Sequence, residues 1–178
     1  MKKALYTTAS FLCFCLLVGL FIWPGYTSDL SSDSRAIFRE PLCGLKGVYV
    51  LVENLPDDAK EFTTREEIAT WVELRLRTTG IPVLTLEEHW NVIGWPTLYV
   101  SMNARKHDGN RFTCNINLEL NEQVRLTRPP YKTVTGTTWA DGALGGGSAL
   151  GSREHVKDLI LELVDNFAND YLAVNPKK

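Results

Sequence analysis

The stretch Phe-Thr-Cys-Asn-Ile-Asn-Leu-Glu-Leu at residues 112–120 decides the fold of this chain. Apolar side chains occupy every second position in it, and polar side chains occupy the positions between. Successive side chains of a β-strand point to opposite faces of a sheet, so this alternation predicts a strand with one face on a core and the other face open. Val124 and Leu126 continue the apolar parity, and we expect a bulge near Glu122.

The residues on either side of this strand predict antiparallel partners. Asp108-Gly109 is typical of a hairpin turn of the primed type, and it leads back to a strand over residues 97–102. On the other side, Pro129-Pro130 lies in a turn, and the β-branched residues 133–139 predict a last strand. The glycine-rich residues 140–151 are interpreted as a connection to the final helix.

Two amphipathic helices are predicted. Thr64-x-x-Glu67 is a capping box, which satisfies backbone donors in the first helical turn, and this helix is expected to run to about Thr79 before Gly80. Ser152 is expected to cap the final helix. The apolar stripe of that helix contains Val156, Leu159, Ile160, Leu163, Val164, Phe167 and Tyr171.

Two further strands complete the predicted sheet. Residues 46–55 are apolar on both parities, as in a strand covered on both faces, and residues 81–86 follow the first helix as a second strand. Residues 89–96 are predicted as a loop. The element order β-α-β-β-β-β-α indicates an α+β fold, an α/β two-layer sandwich. One mixed sheet of about five strands would carry both helices on one face.

The first 28 residues are typical of an export segment. Lys2 and Lys3 precede the uncharged residues 4–23, which are about long enough to span a bilayer. We favour an uncleaved signal anchor, a single-pass transmembrane helix in the inner (cytoplasmic) membrane with the N-terminus in the cytoplasm. The alternative is a cleaved signal peptide and a secreted or periplasmic protein. The predicted divisions are a signal anchor or signal peptide (1–28), a tether (29–41) and a single extracytoplasmic domain (42–178).

The charge balance argues against one class of function. The chain has 19 Lys and Arg against 21 Asp and Glu. Since Lys2 and Lys3 precede the first acidic residue, Asp29, the predicted exported domain is more acidic than the chain as a whole. Nucleic-acid-binding proteins usually show a basic surplus, so we expect no nucleic-acid partner.

Cys43 and Cys114 lie in the predicted exported domain, where an oxidising compartment would allow them to pair. The alternative is two free thiols, since Cys114 lies on the apolar face of its strand. Both interpretations stay open, because a disulfide requires a Cα separation that a sequence does not give.

A small-ligand or anion site is one alternative for the function. The candidate residues lie where the glycine-rich segment meets the final helix, and they are Gly145, Gly146, Gly147, Ser148, Arg153 and Lys157. Free N–H groups at a helix N-terminus attract anions, but the segment lacks the Gly-Lys-Ser/Thr of a phosphate loop. A flexible connection is the simpler interpretation.

No catalytic residue, metal site or cofactor is predicted. Ser148, Ser152 and His155 lie close in sequence and leave a serine hydrolase as a third alternative, but the chain has no Gly-x-Ser-x-Gly elbow. The three histidines are scattered, and none has a second ligand at metal-binding spacing.

Trp90 and Trp95 bracket a short loop and are the candidate partner-binding residues, since large aromatic side chains are favoured as interface anchors. The alternative is that they cap the ends of the core. The leading hypothesis is a membrane-tethered, extracytoplasmic, non-enzymatic domain in an adaptor or assembly role. It would bind a protein or envelope component through this loop or through an open edge or face of the sheet.

Several short segments carry a family resemblance, namely Gly47–Val50, Glu73–Arg77, Gly80-Ile81, Leu98–Val100, Thr138-Trp139 and Asp165–Leu172. With these segments, most of residues 42–176 resembles a recurring family of bacterial exported domains to which no activity is assigned. The resemblance implies an exported α/β domain and carries over no functional residue. The element order is also similar to that of envelope assembly proteins, such as the lipopolysaccharide-assembly lipoprotein and the N-terminal domain of the Tol-system propeller protein.

Overall fold

Four strands form one mixed sheet in the computed structural model, which describes residues 36–148 and 152–176. The strands are β1 (Tyr49–Val52), β2 (Thr97–His107), β3 (Arg111–Arg125) and β4 (Thr133–Ser148), and they lie in the order β1-β2-β3-β4. β1 pairs with β2 in parallel, and the other pairs are antiparallel. The helices are a 3₁₀ turn (Glu40–Leu42), α1 (Asp57–Lys60), α2 (Arg65–Thr79), α3 (Leu86–Asn91) and α4 (Ser152–Val174).

The core lies between one face of the sheet and the pair of long helices, α2 and α4, which contact each other. The strand side chains on this face are buried and include Leu98, Val100, Met102, Phe112, Cys114, Ile116, Leu118 and Leu120. From the helices come Ile68, Val72, Leu76, Val156, Ile160 and Phe167. Arg75 of α2 donates two hydrogen bonds to Asp165 of α4, at 2.5 and 2.6 Å. The predicted α+β class, with a mixed sheet, is confirmed.

The alternation at residues 112–120 has the predicted effect. Every apolar position of this stretch is buried, and Asn115 on the opposite face is exposed. The turn before it spans residues 108–110, and Gly109 (φ 72°) and Asn110 (φ 57°) both adopt left-handed backbone conformations. Glycine reaches that region at no steric cost, and asparagine tolerates it better than most residues.

The capping box at α2 is also confirmed. Thr64 Oγ1 accepts a hydrogen bond from the Glu67 backbone N–H at 3.2 Å, and the Glu67 carboxylate accepts one from the Thr64 N–H at 3.3 Å. Gly80 ends the helix in a left-handed conformation (φ 84°). The local signals at both ends of this helix were therefore sufficient to place it.

The predicted strand over residues 81–86 was wrong, and this is why the sheet has four strands instead of about five. Only Val83 makes a bridge, to Val48, before the chain turns into α3. The cause is a second capping box, in which Thr85 and Glu88 exchange hydrogen bonds at 2.8 and 3.2 Å. It starts a helix inside the residues that the sequence assigned to a strand end and a loop.

The glycine-rich connection predicted over residues 140–151 was also wrong as far as Ser148, because β4 continues through it. Gly145 pairs with Cys114 and lies directly under α4. A Cβ atom at residue 145 would overlap Leu159 Cδ1. The absence of a side chain therefore lets α4 pack closely on the sheet, and flexibility is not what these glycines provide.

β3 and β4 run on past the start of β2, which pairs with β3 only as far as Thr97 opposite Asn121. We call this extension, residues 122–137, the hairpin arm. A bulge sets it off from the sheet, as predicted near Glu122, although the additional residue is Thr138 on β4. Thr138 Oγ1 donates a hydrogen bond to Glu122 at 2.7 Å. None of the residues of the hairpin arm is buried.

The chain enters the domain at the same end of the sheet, which we call the arm end. Residues 36–39 are helical, and Arg39 Nε donates to the buried Asp170 at 2.7 Å, so the last part of the predicted tether contacts the domain. Among residues 36–148 and 152–176, no helix is long and apolar enough to cross a bilayer. The predicted membrane segment, residues 4–23, lies outside these residues.

Candidate interaction surface at the arm end

The Trp loop, which we define as residues 90–96, lies at the arm end, where it includes the last two residues of α3 and leads into β2. Its backbone is fixed to the base of the hairpin arm, because the Gln123 N–H donates a hydrogen bond to the Gly94 carbonyl at 2.7 Å. Gly94 (φ 89°) and Trp95 (φ 49°) both adopt left-handed conformations, which is uncommon for a bulky residue such as tryptophan. The loop therefore has a specific shape that places Trp95.

The buried His89 packs against the Trp loop and helps to fix its position. Its Nε2 lies 3.0 Å from Thr97 Oγ1, and the Thr97 hydroxyl donates to the Trp95 carbonyl at 3.3 Å. Since that hydroxyl has one proton, we assign the Nε2 proton to His89 as the donor. His89 Nδ1 has no partner among the described residues. The imidazole also packs against Tyr49 and Trp90, with ring centroids 5.2 and 4.8 Å apart.

The two tryptophans are presented to solvent as a pair. Trp90 and Trp95 pack edge to face with centroids 5.0 Å apart, and they are 54% and 40% exposed. Ile93 between them is 99% exposed. Neither ring is a buried cap on the core, although both lie against His89 or each other. The structure thus forms an apolar surface at the residues that the sequence selected, and its binding of a partner stays a prediction.

The tip of the hairpin arm adds cationic and aromatic groups to this end. Arg125, Arg128 and Lys132 are exposed, and none of them forms an ion pair with another described residue. Tyr131 is 53% exposed and adopts a left-handed conformation (φ 54°). A turn is predicted here from the sequence, but the exposed cations of this turn are not among the predicted binding residues. The available signal was the unbroken absence of acidic residues over residues 123–140.

A shallow cleft of about 480 Å³ lies beside the Trp loop. Its walls come from the residues after the 3₁₀ turn and from the loop itself, and they include Cys43, Lys46, Asn91, Ile93 and Glu122. The cleft is open and carries one cation and one carboxylate. It extends the exposed surface of the arm end toward the point where the chain enters the domain.

The predicted anion site is not assembled by the described residues. Arg153 forms an ion pair with Glu67 at 2.9 Å and lies over the Trp71 ring at 5.4 Å, with Lys157 at 6.0 Å from the same ring. The Arg153 guanidinium holds the pKa of the Glu67 carboxyl below its usual value. Gly146, Gly147 and Ser148 line a different depression, with His107 and Arg111. Ligand binding by the six predicted residues stays a prediction, because the structure does not bring them together at one site.

The serine hydrolase alternative gains no support from the geometry. Ser152 is buried at the start of α4, so a substrate could not reach its hydroxyl without rearrangement of the helix. His155 Nε2 has no hydrogen-bond partner among the described residues. Within the same residues, no three potential metal ligands lie together.

Cys43 and Cys114 are free thiols in the structure, the first exposed and the second buried. Cys43 lines the cleft beside Glu122, whereas Cys114 lies toward the other end of β3. The length of strand between Cys114 and Glu122 is about 27 Å, far beyond the separation that a disulfide allows. The structure does not bring the two cysteines together.

Comparison with known proteins gives limited likenesses. No family model matches the chain, and no curated protein matches it, so the resemblance to a family of exported domains is not confirmed. A minor lipoprotein from Acinetobacter baumannii is similar with 10% identity and a TM-score of 0.38, over 75% of this chain and 95% of that one. The rare lipoprotein B from Shewanella oneidensis is similar with 12% identity and a TM-score of 0.29, over 70% of this chain and 91% of that one. At these scores the likeness carries no inference about what this chain does.

Proposed function

We propose that this chain is a membrane-tethered, extracytoplasmic, non-enzymatic domain that binds a component of the cell envelope through the Trp loop. The observation that carries the proposal is the pair Trp90 and Trp95, exposed beside the fully exposed Ile93. A large apolar side chain in water costs free energy that a partner could recover by covering it. The uncharged residues 4–23 support the location.

The construction of the loop supports a binding role. Left-handed backbone at Trp95, the hydrogen bond from Gln123 to Gly94 and the buried His89 all restrict the positions of the two rings. A rigid aromatic surface loses little conformational freedom when it binds, which favours affinity. Because both rings are about half exposed, we expect a smaller side chain at either position to leave the core intact.

Site-specific photocrosslinking tests the proposal. A benzophenone amino acid at position 93 of the full-length chain, irradiated in native membranes, should give a discrete adduct. The same group at position 144 is the control, since Leu144 is also highly exposed (82%) but lies on β4 away from the arm end. Equal adduct patterns at the two positions, or none at position 93, would overturn the proposed surface.

Substitution of the tryptophans separates binding from folding. We expect Trp90→Ala and Trp95→Ala to reduce the adduct at position 93 several-fold. Both side chains are already about half exposed, so each change should lower the melting temperature by no more than about 4 °C. Thermal unfolding monitored by circular dichroism measures this. A large loss of stability in both variants would assign the rings to the core instead.

A further inference from the structure

We propose that the component bound at the arm end is the bilayer itself, with the Trp loop at the level of the lipid headgroups and the tip of the hairpin arm on anionic phosphates. This inference rests on the proposed function, because it names the partner of the same surface. The occupant of this surface is an anionic lipid bilayer.

The residue types at this end match a membrane interface. Tryptophan and tyrosine are enriched where hydrocarbon meets headgroups, since each has an apolar ring and one polar group. Trp90, Trp95 and Tyr131 are all about half exposed here. Ile37, Phe38 and Ile93 are also exposed and apolar. Ile37 and Phe38 lie a few residues before the turn at Glu40–Leu42, whose neighbour Cys43 lines the same cleft as Ile93.

The charges at this end are complementary to an acidic lipid surface. Residues 123–140 contain Arg125, Arg128 and Lys132 and no acidic residue, in a chain whose formal net charge is −2. The three side chains are exposed and unpaired within the described part of the chain. Basic groups next to a bilayer are attracted by the negative potential of anionic lipids. The hairpin arm is therefore a basic projection that anionic lipids would attract.

The two contact regions lie along the hairpin arm. The tip of the hairpin arm lies about 17 Å beyond Gln123, which is bonded to the Trp loop. A plane that touches both regions must run along the arm. The arm would lie on the headgroups instead of entering the hydrocarbon, where its unpaired backbone groups could not be satisfied.

Quenching of tryptophan fluorescence by brominated lipid tests this inference. The full-length chain is reconstituted into vesicles of phosphatidylcholine, with and without phosphatidylglycerol, that contain acyl-brominated phosphatidylcholine. We expect the intensity lost to quenching, per mole of protein, to be lower in the Trp90→Phe/Trp95→Phe variant than in the parent chain and unchanged in the Trp71→Phe control. The difference between variants removes any contribution from Trp23. Equal quenching of the parent and the double variant would overturn the inference.

Charge reversal at the tip tests the electrostatic part. Arg128→Glu/Lys132→Glu changes only exposed residues, so the fold should be retained. We expect it to reduce the quenching of Trp90 and Trp95 at least two-fold in phosphatidylglycerol vesicles and to have little effect in neutral ones. An unchanged signal in both would overturn the role of the hairpin arm.

Photocrosslinking at position 93 and quenching of Trp90 and Trp95 together distinguish partner binding from lipid docking. A protein adduct at position 93 without quenching of Trp90 and Trp95 would overturn lipid docking and leave the binding function in place. The absence of both signals would overturn both proposals. Quenching together with a lipid-sized adduct at position 93 would support both.

Discussion

At the scale of single residues, side chains of the same type have different environments in the structure. Two cysteines, for example, differ completely in environment. Burial raises the pKa of the Cys114 thiol, whereas Cys43 lies exposed at the edge of the cleft. Since the thiolate is the reactive form, these environments lead to opposite reactivities. The place of each cysteine in the fold determines its reactivity, and the sequence pattern alone did not distinguish the two.

Alkylation by iodoacetamide at pH 8, followed by peptide mass spectrometry, checks this difference. Cys43 should be modified in the folded protein without a reductant, and Cys114 only after unfolding by guanidinium. The raised pKa of Cys114 keeps it protonated at a pH where an ordinary thiol begins to ionise, and burial blocks the reagent. Protection of both residues until a reductant is added would instead show that they are bonded.

At the scale of elements, local signals were decisive where the cause of the structure was local. The alternation at residues 112–120 and the capping box at Thr64 both acted through neighbours in sequence, and both predictions were confirmed. The second capping box, Thr85 with Glu88, was visible in the sequence but was assigned to a strand end. β4 could not be predicted as far as Ser148, because the reason for Gly145 is tertiary packing against Leu159 of α4, which a sequence pattern does not show.

Two glycines on the same face of β4 give a matched test of that reason. Gly145→Ala would place a methyl group against Leu159, whereas a Cβ at Gly147 would lie 3.7 Å from Phe112, an ordinary contact. We expect Gly145→Ala to lower the free energy of unfolding by about 1–3 kcal/mol and Gly147→Ala to change it by less than about 1 kcal/mol. Urea unfolding measures both. If both substitutions had equally small effects on the free energy of unfolding, the interpretation of residues 140–151 as a flexible connection would be favoured.

The candidate site shows the same division between local and distant causes. Trp90 and Trp95 could be selected from their residue type and spacing alone. The contacts that hold the two rings in place could not be predicted. Gln123, which bonds to the loop, is on β3, and Thr97 acts through the buried His89. The cationic tip of the hairpin arm became part of the surface only when the register placed it at the same end of the sheet as the Trp loop.

At the scale of the whole molecule, stability should be unevenly distributed along β3. Its centre is paired on both sides by β2 and β4 and is covered by helices, while in the hairpin arm each strand has one neighbour and no side chain is buried. Backbone hydrogen bonds that are not protected by burial open with little free energy. The domain therefore combines a stable centre with a projection that can adapt to what it touches.

Hydrogen exchange measures this gradient. Amides of residues 124–126 and 133–136 should exchange well before those of Ile116 and Leu118, which are buried in the centre. A central amide opens only with much of the domain, whereas an arm amide requires a local opening. Protection of the arm equal to that of the centre, in detergent and without lipid, would show that the isolated hairpin is more stable than its single pairing predicts.

The C-terminal end of α4 is tied to the place where the chain enters the domain. Tyr171 donates a hydrogen bond to the Leu45 carbonyl at 3.1 Å, and Asn175 bonds with Leu42 and Gly44 at 2.8 Å. A fluorescent protein fused behind α4 would thus crowd the arm end. The turn at residues 108–110 lies at the other end of β3, about 34 Å along the strand from the arm end. A Cβ atom at Gly109 would have no atom within 4 Å beyond those of its chain neighbours. A reporter inserted there would leave the arm end free.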